Sequence, residues 1–216
     1  IERIAAIASA AGLPQDYDDD CAQLSIKTDL VSTDTLVENL HFDRTWDSPT
    51  QVGRQAAVSN LSDIAASGAQ PIWVTWALSI PPSWSIDDIE ELTRGFMSVC
   101  GLASTPLIGG NLTRTKGPMV ITVTVGGRLI GPSPITRRGA QMGDNVYVSG
   151  PLGDASLGYT QVDVETRALR HRWRPHLAEA QQLALSCGVT AMIDVSDGLL
   201  LDASRLAQSS QIRIQL

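Results

Sequence analysis

The stretch S-P-T-Q-V-G-R-Q-A-A-V-S-N-L-S-D-I-A-A-S-G-A-Q-P-I-W-V-T-W-A-L-S-I (48–80) holds a helix and a strand back to back. Ser48 supplies an N-cap, and Pro49 a first-turn proline at a position where the missing N–H would have had no helical partner. Val52, Ala56, Leu61, Ile64 and Ala65 follow a helical period, and Gly68 can end the helix. Ile72 to Ile80 is then β-rich, carries Trp73 and Trp76, and is closed by Pro81-Pro82.

Working outward, Ile1 to Ala11 reads as a helix, and Ala22 to Ile26 with Leu30 to Val37 as a hairpin turning at Lys27-Thr28-Asp29, which puts Asp34 late in a strand. Downstream, Ser85-Ile86-Asp87-Asp88 predicts a capping box that opens a helix to about Cys100. Leu107-Ile108-Gly109-Gly110 reads as a short strand entering a glycine turn, and Met119 to Ile130 as a long strand. Gly131-Pro132-Ser133-Pro134 is the expected domain boundary, giving domains 1–131 and 132–216. Beyond it, Asn145 to Ser149 and Ala191 to Val195 read as strands, and Gly153 to Tyr159 and Pro175 to Cys187 as helices. A further helix opens after Gly198. The fold class expected is α+β in two domains: a mixed sheet with helices, then an α/β layered domain. Ile1 is not a methionine and Q-I-R-I-Q-L (211–216) alternates like a strand without its partner, so the second domain reads as incomplete.

The 216 residues carry 16 Lys and Arg against 23 Asp and Glu, a net charge of −7, and no basic block, which argues against nucleic acid as a partner. No apolar run reaches the roughly 18 residues a membrane span needs. Cys21, Cys100 and Cys187 have neither C-x-x-C spacing nor neighbouring histidines, so a reducing cytoplasm is expected rather than a disulfide or zinc framework. Trp73 and Trp76 lack the basic neighbours of a base-stacking platform and read as core or interface packing.

Acidic residues recur in four hydroxyl- or glycine-rich frames: D-D-D-C (18–21), V-S-T-D-T (31–35), N-L-S-D (60–63) and D-V-S-D-G (194–198). Any one of them is most simply a turn or a helix cap. Together, in a chain with 18% charged residues, they offer hard oxygen ligands suited to Mg²⁺, which commonly sits on substrate phosphates. That chemistry points to phosphoryl transfer.

With these frames, S-T-D-T-L-V-E-N-L-H-F (32–42), A-V-S-N-L-S-D-I-A-A-S-G-A-Q-P (57–71), L-I-G-G-N (107–111), R-R-G-A-Q-M-G-D (137–144), S-G-P-L-G-D-A-S-L-G (149–158) and I-D-V-S-D-G-L (193–199) resemble the thiamine-monophosphate kinase family. That family belongs to the superfamily of aminoimidazole ribonucleotide synthetase and selenophosphate synthetase. The resemblance implies a homodimer paired through its N-terminal halves, and transfer of the ATP γ-phosphoryl group to thiamine monophosphate. It implies Asp20, Ser32, Thr33, Asp34, Asp63, Asp194 and Asp197 as Mg²⁺ ligands, with Asp34 and Asp63 at the reacting phosphates. It also implies Gly110, Arg137 and Ser196 as ATP contacts, Arg137 with a catalytic role, and His41 as a substrate contact. Asn111 stands where the family most often has Asp, so its place among the metal and nucleotide ligands is an expectation with a changed charge. Two other readings remain: a relative acting on a ribonucleotide, and a nucleotide-binding paralogue impaired in catalysis.

Overall fold

The computed structural model describes residues 29–160, 171–186 and 188–216, with Ala6 and Ala168. The first hairpin strand, Asp20, Cys21, Cys187 and, apart from Ala6, the opening helix lie outside the described residues. The chain divides into two compact units: residues up to Ile64 with Gln70–Arg128, and Ala65–Ala69 with Leu129–Leu216.

In the first unit, β1 (Leu30–Val37), β2 (Ala69–Ile80), β3 (Leu107–Arg114) and β4 (Val120–Leu129) form a sheet in the order β1-β4-β2-β3. β1 and β4 are antiparallel, from Leu30 opposite Gly127 to Val37 opposite Val120. β2 and β3 are parallel, and a parallel pair needs a crossover connection, which helix α2 (Ile86–Leu102) supplies. Helix α1 (Pro49–Ala66) joins β1 to β2.

Both helices begin where the sequence signals them. The Ser48 amide donates to Gln51 Oε1 at 2.8 Å and the Gln51 amide donates to Ser48 Oγ at 3.3 Å, a reciprocal cap at the start of α1. Ser85 and Asp88 form the expected capping box of α2. Gly68, with φ 66°, turns the chain after α1 in the left-handed conformation open to glycine.

Alternation along the strands turns Leu36, Val123, Val125, Trp76 and Leu78 towards the helices, where they are buried with Val52, Leu61, Leu92 and Phe96. The Trp76 and Phe96 rings lie 4.7 Å apart at 39°. The two helices approach closely because each offers a glycine: a Cβ on Gly53 would stand 2.0 Å from the Leu92 carbonyl oxygen, and one on Gly95 2.0 Å from that of Thr50.

The glycine turn expected at Gly109-Gly110 does not form. Both residues lie inside β3, beside Thr75 and Trp76 of β2. A Cβ on Gly110 would stand 2.3 Å from the Trp76 carbonyl oxygen and 2.6 Å from its indole Cδ1, so this glycine marks a close approach of two strands rather than a turn.

The second unit contains α3 (Asp154–Thr160), α4 (Leu177–Ser186) and α5 (Leu199–Ser210). The strands expected over Asn145 to Ser149 and Ala191 to Val195 are absent, and Q-I-R-I-Q-L forms none either. An alternating segment becomes a strand only in a continuous ladder, and these form none among the described residues: the Met192 amide donates to the Thr136 carbonyl at 3.0 Å without extending into one. Val146, Tyr147 and Val148 are consequently exposed. No described helix is long and apolar enough to cross a membrane. Cys100 is fully buried in α2, and burial pushes its thiol up to about 12, so it stays protonated and inert.

Candidate functional site

β1 and α1 bring two of the acidic frames together. Ser32 and Asp34 are two residues apart on one strand and therefore share a face. On that face Ser32 Oγ donates to Asp63 Oδ2 of α1 at 2.5 Å. The exposed Asp34 carboxylate accepts the Thr35 amide at 2.7 Å. Thr33 points the other way: its hydroxyl donates to the Val123 carbonyl at 2.9 Å and lies 3.1 Å from Thr124 Oγ1 on β4. Asn60, one helical turn before Asp63, is buried; its amide donates to the Ala56 carbonyl at 2.9 Å, while Oδ1 has no hydrogen-bond partner among the described residues.

β1 runs into a tight turn that carries His41. Asn39, at φ 67°, adopts the left-handed conformation that asparagine tolerates, and its amide donates to the Phe42 carbonyl at 2.8 Å. The Val37 amide donates to His41 Nδ1 at 3.0 Å, so the neutral ring carries its proton on Nε2. Gln55 of α1 donates to the His41 carbonyl at 3.1 Å.

A group of residues before α2 holds this turn. Glu38 accepts the Trp84 indole N–H at 3.3 Å and the Met119 amide at 3.0 Å. Arg44 lies 4.5 Å over the Trp84 ring and pairs with Asp88 at 2.7 Å, and Phe42 meets the same ring edge-on at 6.2 Å. Burial, the largest single influence, raises the Asp88 pKa, but the Ser85 amide and hydroxyl and the Arg44 guanidinium together hold it below the usual carboxylate value. A folded pKa below the unfolded one stabilises the fold above the unfolded value, and that contribution disappears as pH falls through the folded one. The Tm difference between the wild type and Asp88→Asn should thus be complete above about pH 5 and close as pH falls well below about 4. Thermal melts across that range check it.

Gly110 and Asn111 are exposed on β3, and strands β4 and β2 separate them from β1. No side-chain atom would obstruct approach to Gly109, where an added Cβ would meet nothing within 4 Å. In the second unit Arg137 is exposed, and its carbonyl accepts the Ser210 hydroxyl at 2.8 Å. Ser196 and Asp197 are exposed and Asp194 is half-buried on the loop before α5.

Asp202, in the first turn of α5, organises that loop. Its buried carboxylate accepts the amides of Ser196 and Asp197 at 3.0 Å and of Gly198 at 3.1 Å through Oδ2, and Arg205 at 2.8 Å through Oδ1. Arg205 also donates to Asp197 Oδ2 at 2.5 Å. The hydrogen bond to Asp197 is the main influence raising the Arg205 pKa, against a smaller effect of burial.

Sequence reasoning missed Glu38, Arg44, Trp84, Asp202 and Arg205. For Asp202 the signal was positional: an acid in the first turn of a helix whose N-cap, Gly198, has no side chain. Among the described residues no three His, Cys, Asp or Glu side chains gather within reach of one metal ion. Ser32, Asp34 and Asp63 offer hard oxygen donors, the type that Mg²⁺ takes with water and substrate phosphates.

Residues 18–129 match the family described as AIR synthase related protein, N-terminal domain, and the chain belongs to that family. It is similar to the thiamine-monophosphate kinases of Haemophilus influenzae, 36% identical over 89% of this chain and 61% of the relative, and Bacillus subtilis, 30% identical over 92% and 65%. A solved thiamine-monophosphate kinase from Stenotrophomonas maltophilia superposes with a TM-score of 0.82 at 31% identity, covering 98% of this chain and 71% of that one. A solved complex of AaThiL with AMPPCP and TMP gives 0.76 at 30%, covering 84% and 60%. The chain spans 57–65% of the length of the curated relatives it matches. The resemblance read from the motifs, and the α+β class expected from the order of strands and helices, are borne out.

Proposed function

We propose that the protein of which this chain is part transfers the γ-phosphoryl group of ATP to thiamine monophosphate, giving thiamine diphosphate and ADP. The observation that carries this reading is the Ser32–Asp63 hydrogen bond, which joins two acidic frames in a fold shared with thiamine-monophosphate kinases. AMPPCP, an ATP analogue, and TMP in the AaThiL complex are the ligands this reading assigns.

Two phosphate-bearing substrates repel one another, so the principal task is to neutralise and align them. Asp34 and Asp63 would hold Mg²⁺ with water and phosphate oxygens, and Asp20, Asp194 and Asp197 are further proposed Mg²⁺ ligands. Ser32 offers its hydroxyl, whereas Thr33, turned towards β4, would contribute its backbone carbonyl. Bound Mg²⁺ supplies charge neutralisation. Arg137 would contact the ATP phosphates through its planar guanidinium, Gly110 and Asn111 by close backbone and amide approach, and Ser196 through its hydroxyl. His41 would donate from Nε2 to the acceptor substrate. The acceptor phosphate is already ionised near neutral pH, so a direct in-line transfer needs no protein nucleophile. The reducing cytoplasm expected from the cysteine pattern is consistent with this activity.

α1 and α2 pack on the sheet face that carries Ser32, Gly127 and Trp76. The opposite face presents Val31, the Thr33–Thr124 and Thr35–Thr122 hydroxyl pairs, and Trp73 lying across Gly126. Two copies meeting through this face would give the expected homodimer. Light scattering of the full-length protein should report a dimer at micromolar concentration; a monomer would contradict the pairing.

Asn111 can offer an oxygen to Mg²⁺ but no charge. Asn111→Asp should therefore lower the Mg²⁺ concentration giving half-maximal rate, with a smaller change at saturating metal. An unaltered Mg²⁺ titration would remove position 111 from the ligand set. The function itself is tested by incubating the full-length protein with ATP and Mg²⁺ plus either thiamine monophosphate or aminoimidazole ribonucleotide precursors. Thiamine diphosphate formation requiring all three components is expected, and turnover of a ribonucleotide alone would overturn the reading.

A further inference from the structure

The helix that follows the loop D-V-S-D-G closes a circuit with it through two side chains, Asp202 and Arg205, that the phosphoryl-transfer reading does not use. A glycine N-cap leaves the first amides of α5 without a side-chain acceptor. Asp202, inside the helix, instead acts on the segment that precedes them: its Oδ2 accepts three successive amides, from Ser196, Asp197 and Gly198. The carboxylate is 1% exposed, so these bonds are sheltered from water. Arg205 neutralises Asp202 and reaches Asp197 with the same nitrogen.

Two consequences follow from this circuit. The three amides are already engaged, so they do not form an open nest for a phosphate; an anion approaching the loop would meet the Ser196 hydroxyl instead. Asp197, the exposed acid of the loop, is held by Arg205 from the helix that follows it. A metal ion binding there would have to displace or share that guanidinium, while Arg205 keeps its second partner in Asp202.

We propose that Asp202 and Arg205 are positioning residues: Asp202 fixes the backbone that presents Ser196 and Asp197, and Arg205 occupies Asp197 until a divalent cation replaces it. The metal part of this inference rests on Asp197 being a Mg²⁺ ligand; the loop-fixing part does not.

The test uses the full-length protein with Asp202→Asn and Arg205→Gln. Hydrogen exchange without ligand reads the loop directly. Asp202→Asn should speed exchange of the amides of residues 196–198 by about 10-fold or more, because bonds to a charged acceptor are replaced by weaker ones. Calorimetry with Mg²⁺·AMPPCP should show roughly 10–100-fold weaker binding in the same variant, the loss typical of removing a partner that orients a ligand. The KM for thiamine monophosphate should move much less. Arg205→Gln changes a side chain at the helix surface and should tighten Mg²⁺ binding, read by calorimetry with the metal alone. Unchanged exchange at 196–198 in Asp202→Asn would overturn the loop-fixing role. Unchanged or weaker Mg²⁺ binding in Arg205→Gln would overturn the placeholder role, and that variant decides if Asp202→Asn fails to fold. Faster exchange in a protein with no thiamine-monophosphate kinase activity would uphold the positioning and refute the proposed function.

Discussion

Asp63→Asn in the full-length protein is expected to lower turnover on the order of 10²–10³-fold, the range seen when one preorganised electrostatic contact to a transition state is removed. The fold should persist. Ser32 Oγ donates to Asp63 Oδ2, and an asparagine oxygen in the same place can still accept that hydrogen bond. What disappears is the negative charge that, in the proposed function, would help to hold Mg²⁺. Asp34→Asn should behave in the same way, because Asp34 lies on the same face of β1 as Ser32. Steady-state kinetics at limiting and saturating Mg²⁺, beside a thermal melt, separate the possibilities. Near-normal turnover in both variants at limiting Mg²⁺ would dismiss the shared metal site, and a large fall in Tm would mark the carboxylate as structural.

Gly53→Ala should destabilise the first unit on the order of 3 kcal/mol, at the upper end for an overpacked core. Helix propensity alone argues the opposite, since alanine gains about 1 kcal/mol over glycine inside a helix. The packing geometry decides the sign. The added carbon would stand 2.0 Å from the Leu92 carbonyl oxygen and 2.8 Å from the Phe96 amide nitrogen, backbone atoms that cannot rotate away, so α1 and α2 would have to separate. Gly95→Ala should do the same through Thr50. For a chain of this size the loss corresponds to a Tm lower by roughly 6–12 °C. An unchanged or raised Tm would show that the interface can relax. Because α1 carries Gln55, Asn60 and Asp63, its displacement would also disturb the His41 turn and the Ser32–Asp63 contact.

The helix and strand of residues 48–80 were readable because their signals are local: Ser48 and Pro49 at the entry, a helical period, Gly68 at the exit and a β-rich run beyond. The same holds for Ser85 and Asp88 at the head of α2. Gly109-Gly110 was misread because glycine marks both turns and close approaches, and only the position of Trp76 on the neighbouring strand separates the two. Asn145 to Ser149 and Ala191 to Val195 have strand composition, but pairing depends on residues distant in sequence. At the candidate site, the role proposed for the acidic frames rests on residue type. The outward turn of Thr33 follows from strand parity once Ser32 is known to face α1. The supports of the site left little trace, because Glu38 with Trp84, and Asp202 with the amides of residues 196–198, depend on side chains folding back in three dimensions.

The proposed function requires direct transfer between two substrates held by charge rather than through a protein nucleophile. It is tested most directly by giving the full-length protein ATP labelled in its γ-phosphoryl group, Mg²⁺ and thiamine monophosphate, and following the label after rapid acid quench. The label should pass from ATP to thiamine diphosphate with none retained on protein at any time. Label on the protein before product appears, or ATP bound without any transfer, would contradict the account.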